Sequence, residues 1–166
     1  MVAVLGLTVA ATSADEATLS MHAKLNGFQE VTPKLSPSTG HFEATVTGST
    51  LSYTLTYTKL SSPAFMAHIH FGQPAVNGGV FLWLCGPAGT APAGTPTCPP
   101  DGGTVTRRGV TAADIQGLLL SQNLAAGDFA GALSIIASGD AYVNVHTTNF
   151  PGGEIRGAVR SDAEGD

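Results

Sequence analysis

From Phe42 to Thr58 the side chains alternate between apolar and polar, with one interruption at Gly48-Ser49. Phe42, Ala44 and Val46 fall on one side of the first run, with His41, Glu43, Thr45 and Thr47 opposite. Leu51, Tyr53, Leu55 and Tyr57 continue the apolar side, with Ser52, Thr54, Thr56 and Thr58 outside. A period of two marks a half-buried strand, and the Gly-containing break between the runs marks a hairpin turn. A helix would scatter those apolar residues around its circumference, so this stretch commits the chain to a sheet with one wet face.

The same alternation recurs. Residues 15–25 place Leu19, Met21, Ala23 and Leu25 on one side and Ser20, His22 and Lys24 on the other, so His22 reads as ordinary surface. Residues 26–40, with Asn-Gly, Pro33, Pro37 and Ser-Thr-Gly, read as a loop. Val80-Phe-Leu-Trp-Leu84 is apolar without a clean period, the mark of a strand covered on both sides. Residues 86–104 are rich in Gly, Pro and Thr and read as a long insertion, and Arg107-Arg108 as a solvated turn. Thr111-Ala-Ala-Asp114 resembles a capping box opening a short helix whose apolar face is Ile115, Leu118 and Leu119. Asp128 caps a second helix over 129–138, ended by Gly139. Strand 141–147 then turns through 148–153 into strand 154–160.

Charged residues make up only 11% of the chain, with 21 Gly and 10 Pro, a mixture suited to strands and frequent turns. Net charge is −5 with seven Lys and Arg, which excludes binding through neutralised phosphates and so argues against nucleic acid. Residues 1–14 are apolar and end in small residues; they read as the remnant of a secretory signal, with residues 15–166 as one exported domain, periplasmic or extracellular. Nothing else is long and apolar enough to cross a bilayer. Cys85 and Cys98 enclose the insertion and, in an exported chain, are most simply a disulfide; thiolate metal ligation fits less well, because no Cys-x-x-Cys or neighbouring His accompanies them.

Chemistry concentrates in Ala67-His68-Ile69-His70-Phe71. On a strand His68 and His70 share a face about 6.6 Å apart. His146, in Tyr142-Val-Asn-Val-His146, offers a third imidazole on the same kind of face, and His41 a fourth. An all-imidazole set suits copper or zinc and disfavours calcium and magnesium, and export favours copper over zinc. The plain alternative is a polar outer face with no metal. Arg156 overlooks the same site if the terminal hairpin pairs it near His146; otherwise it pairs with Glu43 or Glu154 on the surface.

Leu25-Asn-Gly-Phe-Gln-Glu-Val31, Ala67-His-Ile-His-Phe71 and Gly139-Asp-Ala-Tyr-Val-Asn-Val-His-Thr-Thr-Asn-Phe-Pro-Gly-Gly-Glu-Ile-Arg-Gly157 resemble the CHRD domain, the module named after chordin, over most of residues 18–160. That resemblance implies an antiparallel β fold; the 86–104 region departs from the family's shorter connection. The His-x-His, the later His, a Cys after the pair and the Arg156 region preceded by glycines are similar to copper/zinc superoxide dismutases. No zinc-binding loop of His and Asp is visible, so a copper-only centre is the closer likeness, with Arg156 guiding superoxide or another small anion. The expected fold is an all-β antiparallel Greek-key sandwich or barrel with one or two short helices. Two other functions compete: a protein that stores or delivers metal without turnover, and an interaction module anchored by Phe71, Phe81, Trp83 or Phe150. Hydrolase chemistry is disfavoured, since the chain lacks Gly-x-Ser-x-Gly, His-Glu-x-x-His and a phosphate-cradling loop.

Overall fold

The computed structural model describes residues 18–162. The proposed signal remnant, residues 1–14, lies outside the described residues. Nine strands form one antiparallel sheet: β1 (Thr18–Asn26), β2 (Thr39–Thr47), β3 (Thr50–Thr58), β4 (Ala64–Phe71), β5 (Gly79–Cys85), β6 (Gly103–Val110), β7 (Ala141–Thr147), β8 (Ile155–Ala158) and β9 (Arg160–Asp162). Their order is β5-β4-β7-β8-β1-β2-β3-β6, with β9 pairing β1 beside β8. β4–β7, β8–β1 and β3–β6 are neighbours remote in sequence, so the sheet crosses over as a Greek-key barrel rather than a simple meander. The two ends of the path come close to each other, where the Tyr53 hydroxyl on β3 donates to the Leu84 carbonyl on β5 at 2.5 Å. The result is a nearly closed all-β barrel, as the alternation requires.

The alternating runs set its interior. Leu25, Phe42, Leu55, Tyr57, Ile69, Val143 and Ile155 are buried on the inner face. Burying each large side chain contributes about 1.5–3 kcal/mol. The β2–β3 register pairs Phe42 with Leu55 and Ala44 with Tyr53, the inward residues of the two sequence runs. In the apolar run 80–84 two register shifts against β4 pair His68 with Trp83 and Ile69 with Leu82. Such shifts turn consecutive residues the same way. Phe81, Leu82 and Leu84 are therefore all buried while Trp83 turns to the histidine face.

Three local expectations are corrected. Arg107 and Arg108 lie in strand β6, not in a turn, and Arg107 is paired with Asp114 at 2.6 Å. That strand makes residues 103–104 the end of an ordered element, so the irregular insertion is shorter than its composition suggested. The helix expected from Thr111 stops after one 3-10 turn, Ala112–Asp114. There the Asp114 carboxylate accepts from the Thr111 amide at 2.9 Å and from Arg107, but the chain then runs extended, with the Gln116 amide donating to the Phe81 carbonyl at 2.8 Å. Only α1 (Leu119–Gln122) follows, and it leaves Leu119 exposed. The second helix appears as α2 (Phe129–Ala137), with the Asp128 carboxylate accepting from the Gly131 amide at 2.8 Å. Cys85 and Cys98 are disulfide-bonded and fasten the insertion to the end of β5.

Glu154 ties the loops at one end of the barrel together. Its buried carboxylate accepts from the Ser36, Ser38, Ser61 and Thr147 hydroxyls and from the Ser61 amide, at 2.5–2.9 Å. Burial pushes this carboxyl up, but the donors from Ser38, Thr147, Ser61 and Ser36 outweigh it and hold it below its usual range. Glu154→Ala leaves those donors without their acceptor and is expected to cost about 3 kcal/mol or more. Urea unfolding checks this: a lowered midpoint with unchanged slope is expected, and Glu154→Gln, which keeps an acceptor oxygen, should lose less.

Candidate metal centre

β4 and β7 run antiparallel with Met66 opposite His146, His68 opposite Asn144 and His70 opposite Tyr142. All of these residues therefore project from the same side of the sheet. Alternation put the three histidines on a polar outer face, but that face is covered. His68, His70 and His146 are 3%, 8% and 6% exposed. The covering layer comes from three loops, around residues 27–34, 72–78 and 150–153, which pack over β7 so that every one of its residues is buried.

The three rings converge. One ring nitrogen from each of His68, His70 and His146 lies within 4.8 Å of the others, and these residues form the metal-capable group found among the described residues. The centroids of His68 and His146 are 5.0 Å apart, those of His68 and His70 5.5 Å, and those of His70 and His146 6.1 Å. Two rings are fixed by backbone carbonyls. His70 Nδ1 is 3.0 Å from the Gly78 carbonyl and His146 Nδ1 is 2.9 Å from the Pro151 carbonyl. A carbonyl only accepts, so each Nδ1 carries the proton and each Nε2 presents a bare lone pair. His68 Nδ1 stands 3.1 Å from His146 Nε2, and His68 Nε2 and His70 Nε2 are buried with no hydrogen-bond partner.

Glycine at position 78 makes this orientation attainable. A Cβ there would overlap the Phe71 carbonyl, so only glycine lets the 72–78 loop fold close enough to present its carbonyl to His70. Aromatic rings wall the group: Trp83 meets His68 edge-on at 4.3 Å, and Tyr142 lies parallel to His70 at 4.6 Å.

Burial dominates the electrostatics. It drives His68 down to about 3, helped by His146 and His70, and His70 down to about 4. The Gly78 hydrogen bond pulls His70 back up, while His146 and Arg156 press it further down. His146 is lowered by burial as well, with the Pro151 carbonyl opposing. All three imidazoles are therefore neutral around pH 7, the protonation state a metal ligand needs.

The remaining predicted site residues fall in different places. His41 stays on β2, paired with Glu43 at 3.0 Å, with β8 and β1 between it and β7; it does not join the group. Its strand face was read correctly, but the same kind of face on a remote strand is not the same place. Arg156 is opposite Asn144, not His146, and pairs with neither Glu43 nor Glu154. Its guanidinium lies 3.3 Å over the Tyr142 ring, donates to Asn77 Oδ1 at 3.0 Å and also donates to the Val76 carbonyl. It is buried and clamps the 72–78 loop. Of the aromatics considered as exposed anchors, Phe81 is in the core and Phe71, Trp83 and Phe150 are half-buried.

Sequence reading missed Glu30. It is 3% exposed, accepts from Asn144 Nδ2, and is pushed up to about 7 by burial against the opposing pull of Arg156 and Lys34. Its position in the Leu25–Val31 block was the available signal.

Residues 21–159 match the CHRD domain family, and the chain belongs to it. No curated protein and no solved structure matches the chain significantly.

A histidine whose folded pKa is depressed takes up its proton more readily in the unfolded chain, so acid favours unfolding. The metal-free protein should lose stability as pH falls from about 6.5, where unfolded histidines begin to protonate, to about 4, where His70 titrates. Glu30 acts in the opposite sense: its folded pKa is raised, so its contribution is lost as pH rises through about 7. Three imidazoles outweigh one carboxyl, and melting temperature measured between pH 4 and 6.5 should rise with pH. A flat or falling profile would contradict the neutral-cluster assignment.

Proposed function

We propose that this domain is an exported copper-binding protein in which His68, His70 and His146 hold one copper ion, and that the bound copper dismutates superoxide. The observation that carries the reading is the convergence of three buried, neutral imidazoles, two of which, His68 and His70, have a ring nitrogen with no partner. Buried polar atoms in folded proteins almost always have partners, and an ion supplies one for each. The group contains neither carboxylate nor thiolate, and an imidazole set suits copper in both of its common oxidation states. Export is supported by the disulfide and by the apolar residues 1–14, and no helix among the described residues is long and apolar enough to cross a membrane.

Copper supplies one-electron exchange, by which two superoxide anions and two protons yield dioxygen and hydrogen peroxide. The chain's own residues do the rest. The Gly78 and Pro151 carbonyls hold two rings in the ligating tautomer, which also raises ligand basicity. Trp83, Tyr142 and the covering loops keep bulk water away. Arg156 supplies a positive focus in a chain of net charge −5. Its amino groups on the loop side are committed to Asn77 and Val76, so it draws a small anion by its field rather than by grasping it.

The low exposure of all three histidines favours a second reading, in which the copper is stored or delivered without turnover. A superoxide assay on copper-loaded protein separates the two. One copper per chain is expected, abolished by His146→Ala. Superoxide consumption well above that of the metal-free protein supports dismutation; copper retention without it leaves the storage reading. Arg156→Ala should lower the rate and flatten its salt dependence at unchanged copper content, whereas Arg156→Lys keeps most of the salt dependence. Loss of copper from Arg156→Ala would make the arginine a structural clamp only.

A further inference from the structure

Below the 27–34 loop lies a cavity of about 330 Å³ that the metal chemistry does not use. That volume falls within the range of small-molecule sites. Its walls include Phe28, Val31 and Pro74, and its inner end is formed by Glu30, Tyr142 and Arg156. The two charged residues are each 3% exposed. Phe28 is 65% exposed at the rim, a large apolar ring at the edge of an apolar recess.

The charges decide what fits. Glu30 and Arg156 attract each other across the inner end. Arg156 is further committed to Asn77 and to the Val76 carbonyl, and one Glu30 oxygen accepts from Asn144. With Arg156 engaged by the 72–78 loop and Glu30 partly protonated near pH 7, neither offers a full counter-charge to a guest. A charged guest would enter a desolvated space with no counter-charge free for it, which is strongly unfavourable. A purely apolar guest would add no hydrogen bond to those the Glu30 carboxyl takes from Asn144 and the Val31 backbone, whereas a hydroxyl would add one.

We infer that this cavity is a binding site for a neutral, largely apolar small molecule bearing one hydroxyl, such as a phenol, with the hydroxyl directed at Glu30 and the ring between Phe28 and Pro74. None of the three histidines lines the cavity, so binding to the metal-free protein tests it apart from copper, although Arg156 belongs to both readings. Tyr142 is shared: one wall of the cavity is the ring that lies parallel to His70.

The experiment is calorimetric titration of the metal-free, full-length chain with phenol, benzene, benzoate and benzylamine, which are alike in size and differ in head group. Phenol should bind saturably and about tenfold tighter than benzene, the difference one hydrogen bond to a carboxyl makes. Benzoate and benzylamine should bind more weakly than benzene. Ala158→Leu, which fills the cavity from β8, should abolish phenol binding, and Phe28→Ser, an exposed and readily tolerated change, should weaken it about tenfold. Glu30→Gln should shrink the preference for phenol over benzene. Equal affinity for phenol and benzene, tighter binding of either charged analogue, no saturable binding, or Phe28→Ser and Ala158→Leu binding phenol like the parent would each overturn the assignment.

Discussion

Two hydrogen bonds, from His70 Nδ1–H to the Gly78 carbonyl and from His146 Nδ1–H to the Pro151 carbonyl, organise the site. Each pins a ring, fixes its tautomer and leaves the far nitrogen facing a buried space. Without them the rings would be free to turn and satisfy themselves elsewhere. Both carbonyls belong to loops, so the centre depends on loops being held as firmly as strands.

The surrounding structure does that holding. Arg156, seated over the Tyr142 ring, anchors the 72–78 loop that carries Gly78. Glu154 gathers Ser36, Ser38, Ser61 and Thr147 and so secures the base of the terminal hairpin whose turn carries Pro151. At Gly153, where φ is +123°, a Cβ would collide with Asn144 and Glu30, so glycine lets the turn close onto β7. Within the Gly-Gly-Glu-Ile-Arg stretch, Glu154 thus gathers the loops and Arg156 clamps one of them.

Most of the fold was legible because half-buried strands write their faces into sequence with period two, as in Phe42–Val46 and Leu51–Tyr57. The histidine trio was legible for the same reason. Its burial was not: alternation tells which residues share a face, not whether a loop covers it, and 27–34 and 72–78 carry no periodic signal. Register was also out of reach: the sequence left open whether Arg156 pairs near His146, and it sits opposite Asn144. The helix expected at Thr111 failed because the Asp114 carboxylate is drawn to Arg107 on the neighbouring strand and the following backbone to Phe81, a partner remote in sequence. His41 shows the limit most plainly, since a shared type of face says nothing about distance around a barrel.

The most direct measurement of the central claim is the electron paramagnetic resonance spectrum of the protein loaded with one equivalent of Cu(II). Coordination by three imidazole nitrogens would give nitrogen superhyperfine structure that simplifies when His68, His70 or His146 is replaced and is unchanged in His41→Ala. A spectrum of weakly held copper that ignores substitutions in the trio would contradict the account.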